Sequence, residues 1–337
     1  MKFPISGREQ AVSHLFMERP HVVLLGAGAS RAAFPNGDRN KRLLPVMNDF
    51  VAVLELQEDL LNFGIRDTGR NFEVLFQEIV ERDTGSGFRE TIEKRIFEYF
   101  ASLELPREPS LYDLLVLSLR KKDFVATFNW DPFLWDAAYR VSRFVDPPRL
   151  AFLHGSVAVG YCENDPIKGP IGQTCQRCGG EFKPASLFYP VSEKNYSNDE
   201  IIKFEWADMQ TALRDAYLFS VFGYSAPKAD AAAIELLQLA WGNPEKRNLE
   251  QTEIVDIRPE NEIVESWKSF IHSHHYSVYD NFKLSMSATY PRRSCEAFWS
   301  ATMELEPYHT FEIPKTDNLI ELIEWLGPLV EVEKRTC

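Results

Sequence analysis

Short, almost unbroken apolar runs alternate along this chain with stretches whose apolar residues recur at helical spacing. The runs are "HVVLL" (21–25), "DFVATF" (123–128), "RLAFLHG" (149–155), "YLFSVFG" (217–223) and "TEIVDI" (252–257). Each is rich in β-branched or aromatic residues and continuous rather than alternating in hydrophobicity, as expected of a strand covered on both faces. Helical patterns lie between them, such as "SLYDLLVLSLRKK" before the second run and "ADAAAIELLQLAWG" after the fourth. This rhythm predicts an α/β fold: a Rossmann-like, mostly parallel sheet with helices on both faces.

Two stretches interrupt the rhythm. Residues 72–105 carry two helical patterns split by "RDTGSG", which predicts an inserted helical pair within a helical insertion at about 45–105. Residues 161–198 are irregular, rich in Gly, Pro and Asn, and predict a loop-rich insertion spanning about 157–198. The tail predicts two helices, over 293–303 and 316–326, in a C-terminal helical extension at 277–337.

Composition narrows the function. The chain has 337 residues, 45% apolar and 13% aromatic, enough for a substantial core. A net charge of −13 argues against direct nucleic-acid binding, which needs clustered cations to neutralise phosphates. No run reaches the length of a membrane span, the first residues lack the apolar core of a signal peptide, and five cysteines are too few for a disulfide scaffold. The expectation is a cytoplasmic protein without a membrane partner.

Three polar clusters fall at the ends of predicted strands, the edge where open α/β sheets bind ligands. In "LGAGAS" (25–30), Gly26 and Gly28 follow a buried strand and precede a helix start, where backbone amides and the helix dipole favour a pyrophosphate. A dehydrogenase fingerprint would want glycine where Arg31 stands and an acidic residue closing a second strand some twenty residues on, so hydride transfer is disfavoured. "TFNWD" (127–131) offers Asn129 and Asp131 at alternate positions, and "LHGS" (153–156) offers His154.

The ordered set "GAGAS" with "FP" close behind, "TFNWD", "LHGS", "FGYS" (222–225) and "IVDIRPEN" (254–261) resembles the sirtuins over roughly residues 20–260. It is most similar to the divergent sirtuin-like proteins of bacterial anti-phage systems that hydrolyse NAD+. The resemblance implies a catalytic domain over residues 1–276 in which Gly26, Ala27, Gly28 and Ser30 hold the NAD+ phosphates and neighbouring ribose, with Phe34 and Thr127 also in the cofactor site. It makes Asn129 the residue that contacts the nicotinamide ribose and orients a water. Asp131 would read the carboxamide, His154 would be the general base, and Gly223, Ser225 and Asp256 would line the adenosine side. Sirtuin deacetylases usually place glutamine before the asparagine and a small aliphatic after it. Here Phe128 and Trp130 flank it, which favours water over an acyl-lysine as acceptor.

The expected reaction is therefore NAD+ glycohydrolysis by a gated effector of anti-phage (abortive infection) defence. The alternatives are an NAD-dependent deacylase or ADP-ribosyltransferase, and a non-catalytic NAD or ADP-ribose-binding module. The expected gate is a homo-oligomer, or a separate ATPase, nuclease or guide-binding protein of the same defence locus. The deacetylase ribbon carries two CxxC pairs. Here Cys175 and Cys178 form one, with only Cys162 upstream and Asp165 where a second cysteine would sit, so a structural Zn2+ and a metal-free ribbon both stay open. "HSHH" (272–275) reads as a surface loop, since adjacent histidines rarely converge on one ion.

Overall fold

The computed structural model describes residues 8–165, 167–190, 196, 198–227 and 230–336. The signal-peptide reading of the first residues, parts of the 161–198 loop and Cys337 lie outside that set. Six parallel strands form one sheet in the order β3-β2-β1-β7-β8-β9. They are β1 (His21–Leu25), β2 (Phe124–Thr127), β3 (Arg149–Phe152), β7 (Leu218–Phe222), β8 (Gln251–Val255) and β9 (Tyr276–Tyr279). Every residue of β1, β2, β7 and β8 is buried, which is why their sequences lack alternation. From β1 the chain builds outward through β2 to β3, then returns to β7 on the other flank of β1 and builds outward again. The order thus reverses between β1 and β7.

The edge strand β9 was not expected. Its "YSVY" is half-buried throughout and follows the four-residue histidine segment, so it carries neither a continuous nor a wholly apolar pattern. It also runs across the boundary drawn at residue 276.

The helical insertion comprises Phe50–Val53, Gln57–Asn62, Phe72–Arg82 and Phe88–Ala101. The Phe50 and Phe72 rings stack at 4.2 Å, and Trp130 meets Phe100 edge-on at 5.5 Å, so the insertion packs on the residue after Asn129. The region predicted as irregular loop holds a small antiparallel sheet, β5-β4-β6, made of β4 (Val159–Tyr161), β5 (Lys168–Pro170) and β6 (Lys183–Pro184). Strands of two or three residues containing Gly and Pro leave no periodic signal. Both glycines are needed there because Phe182 packs against them: a Cβ on Gly169 would sit 2.4 Å from its ring, and one on Gly160 2.9 Å from its backbone.

The tail is longer in helix than expected. Ser294–Trp299 continues into a π-helical turn, and the final helix runs Leu319–Thr336 with Pro328 inside it. Its Glu333 receives Arg292 and Arg293, and Arg292 Nη1 also donates to the carbonyls of Leu117 and Leu119. Among the described residues no helix is long and apolar enough to cross a membrane.

Candidate active site

The turns after β1 and β7 interlock at the C-terminal edge of the sheet. The Gly26 amide donates to Phe222 O at 3.0 Å, and the Gly28 amide to Gly223 O at 2.9 Å. Both glycines are required by that contact. A Cβ on Gly26 would lie 2.6 Å from Gly223 O, and one on Gly28 would lie 2.8 Å from Gly223 Cα. The pyrophosphate reading assigned these amides to a ligand, whereas here they first hold the two halves of the sheet together at its switch point. Ala27 and Gly28 stay half-buried at the rim, and Ser225 is exposed beyond the second turn.

Below the rim, side chains from three segments converge. Asn129 Nδ2 donates to Gly26 O and to Ser30 Oγ, both at 2.9 Å, with Tyr112 OH at 3.3 Å. Ser30 Oγ donates to Asp131 Oδ2 at 2.6 Å and lies 2.7 Å from Tyr112 OH. Because the serine proton goes to Asp131, the tyrosine hydroxyl donates to Ser30, giving a directed chain Tyr112→Ser30→Asp131. Thr127 Oγ1 accepts the Asn129 amide at 2.9 Å, fixing the backbone that presents the asparagine. Placing Nδ2 on a carbonyl excludes the flipped amide, and Asn129 Oδ1 makes no hydrogen bond among the described residues.

All of Ser30, Tyr112, Asn129, Asp131 and His154 are buried. Burial raises the Asp131 carboxyl to about 6, against the Ser30 hydrogen bond that pulls it down, and burial likewise lifts nearby Asp136 to about 6. Burial pushes the Tyr112 hydroxyl well above its ordinary range, with the Asp131 charge adding to the effect, so Tyr112 stays protonated. Phe34 closes the floor, stacked 6.1 Å from the Tyr112 ring and 4.3 Å from Phe133.

His154 stands on the turn after β3. Its Nε2 is 2.8 Å from Tyr196 OH, and its ring lies 4.6 Å from Phe128. Phe128 also meets Tyr224 at 4.4 Å, so it fills the space between His154 and the turn after β7. Asp256, just past β8, accepts from the Arg258 backbone amide and side chain. Tyr112 and Tyr196 were not singled out in the sequence. A hydroxyl beside Asp113 in the mostly apolar "LYDLLVL" is the only sign Tyr112 offers.

The three cysteines converge with Asp165: one donor atom each from Cys162, Asp165, Cys175 and Cys178 lie within 4.8 Å of one another. The hairpin around them is shaped as a knuckle, with the Gly180 amide donating to Cys178 Sγ at 3.4 Å and the Cys175 amide to Gly180 O at 2.7 Å. Three thiols and a carboxylate fit a tetrahedral Zn2+. It is the only such group found among the described residues, and the histidines of 272–275 form none.

An open parallel sheet whose order reverses beside a glycine turn, with a buried polar cluster at the reversal, defines a Rossmann-like α/β architecture. No family model and no curated protein matches the chain. Among solved structures it is similar to a Sir2 homolog in complex with NAD, at 14% identity over 89% of this chain and 97% of that one, with a TM-score of 0.39. A Sir2 bound to an acetylated peptide is 16% identical over 85% of this chain and 93% of that one, TM-score 0.37. A structure addressing the mechanism and regulation of Sir2 enzymes gives 16%, 95%, 94% and 0.37 in the same order.

Proposed function

We propose that this chain binds NAD+ across the reversal between β1 and β7 and hydrolyses its nicotinamide glycosidic bond. The observation that carries this is the orientation of Asn129: both amide hydrogens are held by the protein, and Oδ1 is left without a hydrogen bond among the described residues. The pyridinium is already a good leaving group, so the site needs little acid catalysis. It needs a bound, oriented sugar and a positioned nucleophile. In this reading Asn129 Oδ1 accepts a hydrogen bond from water or a ribose hydroxyl, and His154 takes the proton as general base. Asp131, held by the Ser30 hydroxyl, reads the carboxamide of the nicotinamide. The C1′–N bond breaks with its electron pair leaving on nicotinamide, and water adds to the sugar to give ADP-ribose and a proton.

The Phe128 ring between His154 and Tyr224 supports water over a bulkier acceptor. One observation favours a second reading, NAD-dependent deacylation: Asp165 completes the donor set of the ribbon, which the cysteines alone leave one short. The motif likeness to anti-phage NAD hydrolases supports a role as a defence effector gated by self-association or by a partner protein. The test is nicotinamide release by the purified protein, with and without its genomic neighbours and with and without an acyl-lysine peptide. Release that needs no peptide and is lost in Asn129→Ala and His154→Ala supports the hydrolase; strict dependence on peptide overturns it in favour of the deacylase.

A further inference from the structure

The two edges of the main sheet are finished differently. An edge strand turns the N–H and C=O of every second residue away from its one neighbour. On β3 the outward residues are Leu150 and Phe152, and side chains engage both. Leu150 O accepts Lys168 Nζ at 2.6 Å, and the Phe152 amide donates to Glu205 Oε2 at 2.7 Å. Lys168 and Glu205 are themselves paired at 2.5 Å, so this edge is closed to another strand. On β9 the Thr252 amide reaches His275 O and the Asp256 amide reaches Tyr279 O. That register turns Ser277 inward and leaves Tyr276 and Val278 facing out. Their backbone groups make no hydrogen bond among the described residues, and "YSVY" holds no proline or lysine to protect the edge.

We infer that β9 is the surface through which two copies of this chain associate, pairing antiparallel about a two-fold axis at Ser277. The inference does not depend on NAD+ binding, and it gives the self-association proposed above a surface. The occupant is a second copy because the segment complements itself. Centring on Ser277 sets Tyr276 of each copy against Val278 of the other, so every outward group of the strand gains a partner in a ladder of four backbone hydrogen bonds. Centring on Tyr276 or Val278 instead would leave one of the two facing a residue outside the strand. The same register sets exposed His274 opposite exposed Asp280 on both flanks, an imidazole against a carboxylate. Because side chains close the β3 edge, the joined sheet stops at two copies and does not grow into a filament.

The test is sedimentation of the full chain over a wide concentration range, where the wild type should pass from monomer to dimer. Val278→Pro removes an outward amide and leaves the ladder with β8 intact. It should weaken the dimer by about 10–100-fold, with circular dichroism showing the fold retained. Asp280→Lys should weaken it roughly 3–10-fold, and adding His274→Glu should restore it, since the opposed signs are then exchanged. Ser277→Cys should give a disulfide-linked dimer under oxidised glutathione that the wild type lacks. Facing residues of this kind lie about 4.5 Å apart, within reach of a disulfide. Loss of the dimer in Val278→Pro together with trapping in Ser277→Cys supports the inference. A monomer at every concentration overturns it, as does a dimer that Val278→Pro does not weaken and Ser277→Cys does not trap.

Discussion

Ser30 and Asn129, 99 residues apart in sequence, meet at 2.9 Å with the asparagine amide donating to the serine hydroxyl. The contact ties the helix after β1 to the turn after β2. It also fixes which oxygen Asn129 offers, because Ser30 and Gly26 take both Nδ2 hydrogens.

Asn129→Ala should therefore abolish the positioned acceptor and slow nicotinamide release by roughly 10²–10³-fold, the usual cost of deleting one preorganised polar group. Asn129→Asp is the sharper test. It keeps the size but sets a carboxylate oxygen against Gly26 O and close to the Ser30–Asp131 pair, so it should be as inactive as the alanine variant. A kinetic comparison at matched folding decides it; appreciable activity in Asn129→Asp would show that the Nδ2 contacts do not orient the residue.

Gly223 has φ +65, and a Cβ there would lie 2.1 Å from Ala29 N and 2.4 Å from Gly28 C. Gly64 also has positive φ (+83), yet nothing lies within 4 Å of its added Cβ. Gly64→Ala should cost only the left-handed backbone, roughly 1–2 kcal/mol, and spare activity. Gly223→Ala must also push two turns apart, so it should cost several kcal/mol and abolish activity. Denaturant melts of the pair check this, and equal losses would mean that conformation alone matters at Gly223.

What could be read from the sequence follows from how each element is held. Strands β1, β7 and β8 announce themselves because burial on both faces demands unbroken apolar residues. β9 escapes because its Tyr-Ser-Val-Tyr lies half-exposed at the sheet edge. β4 to β6 escape because strands this short are organised by the cysteine cluster and by Phe182 over two glycines rather than by periodicity. In the site, Asn129 and Asp131 follow the end of β2 and Ser30 lies in the short helix just after β1, where polar residues next to a strand stand out. Tyr112 lies on an ordinary helix before β2 and reaches Ser30 only once the fold exists. The Arg292–Glu333 pair is equally silent, since two charged residues 41 apart carry no local pattern.

A buried relay crosses the sheet below the site. His21 Nε2 lies 2.6 Å from Ser220 Oγ, which donates to Glu253 Oε1 at 3.0 Å, while Glu253 Oε2 accepts the Met286 amide at 2.8 Å. Burial raises Glu253 to about 7 from an ordinary 4.5. Protonated Glu253 therefore favours the fold; its contribution is complete below about 4.5 and is lost as pH rises through about 7. His21, lowered to about 4 by burial, works in the opposite sense, weakening the fold as pH falls from 6.5 through 4. Glu253→Gln mimics the protonated acid. It should melt with the wild type at pH 5 and be more stable at pH 8 by up to roughly 3 kcal/mol. Thermal melts across that range decide it, and a gap independent of pH would sink the assignment.

The cysteine cluster predicts one zinc per chain, held by Cys162, Asp165, Cys175 and Cys178. Cys175→Ser should lose the metal, and a strong chelator should reproduce its destabilisation in the wild type but add nothing in the variant. A loss of about 2 kcal/mol would lower the melting temperature of a chain this long by roughly 3 °C. Asp165→Cys should bind zinc more tightly, since a fourth thiolate is the softer ligand. Metal analysis alongside melting checks all three; full zinc occupancy in Cys175→Ser would remove that cysteine from the site.

The last helix is fastened by one carboxylate. Glu333 takes Arg292 Nε at 2.9 Å on each oxygen and Arg293 Nη1 at 2.7 Å, and Arg293 is fully buried. Arg292 Nη1 reaches Leu119 O at 2.9 Å, so the same cluster holds the C-terminal end of the helix that carries Tyr112. Glu333→Gln leaves two desolvated guanidiniums without a counter-charge, and breaking a buried pair from one side costs about 3–5 kcal/mol. Arg292→Met should cost less on its own than Glu333→Gln, because Glu333 keeps Arg293. In the double variant the two losses should fall short of their sum by about 1 kcal/mol or more, the mark of residues in one network. Chemical denaturation of the three variants measures that coupling, and strict additivity would mean that the final helix is held by its apolar face rather than by Glu333.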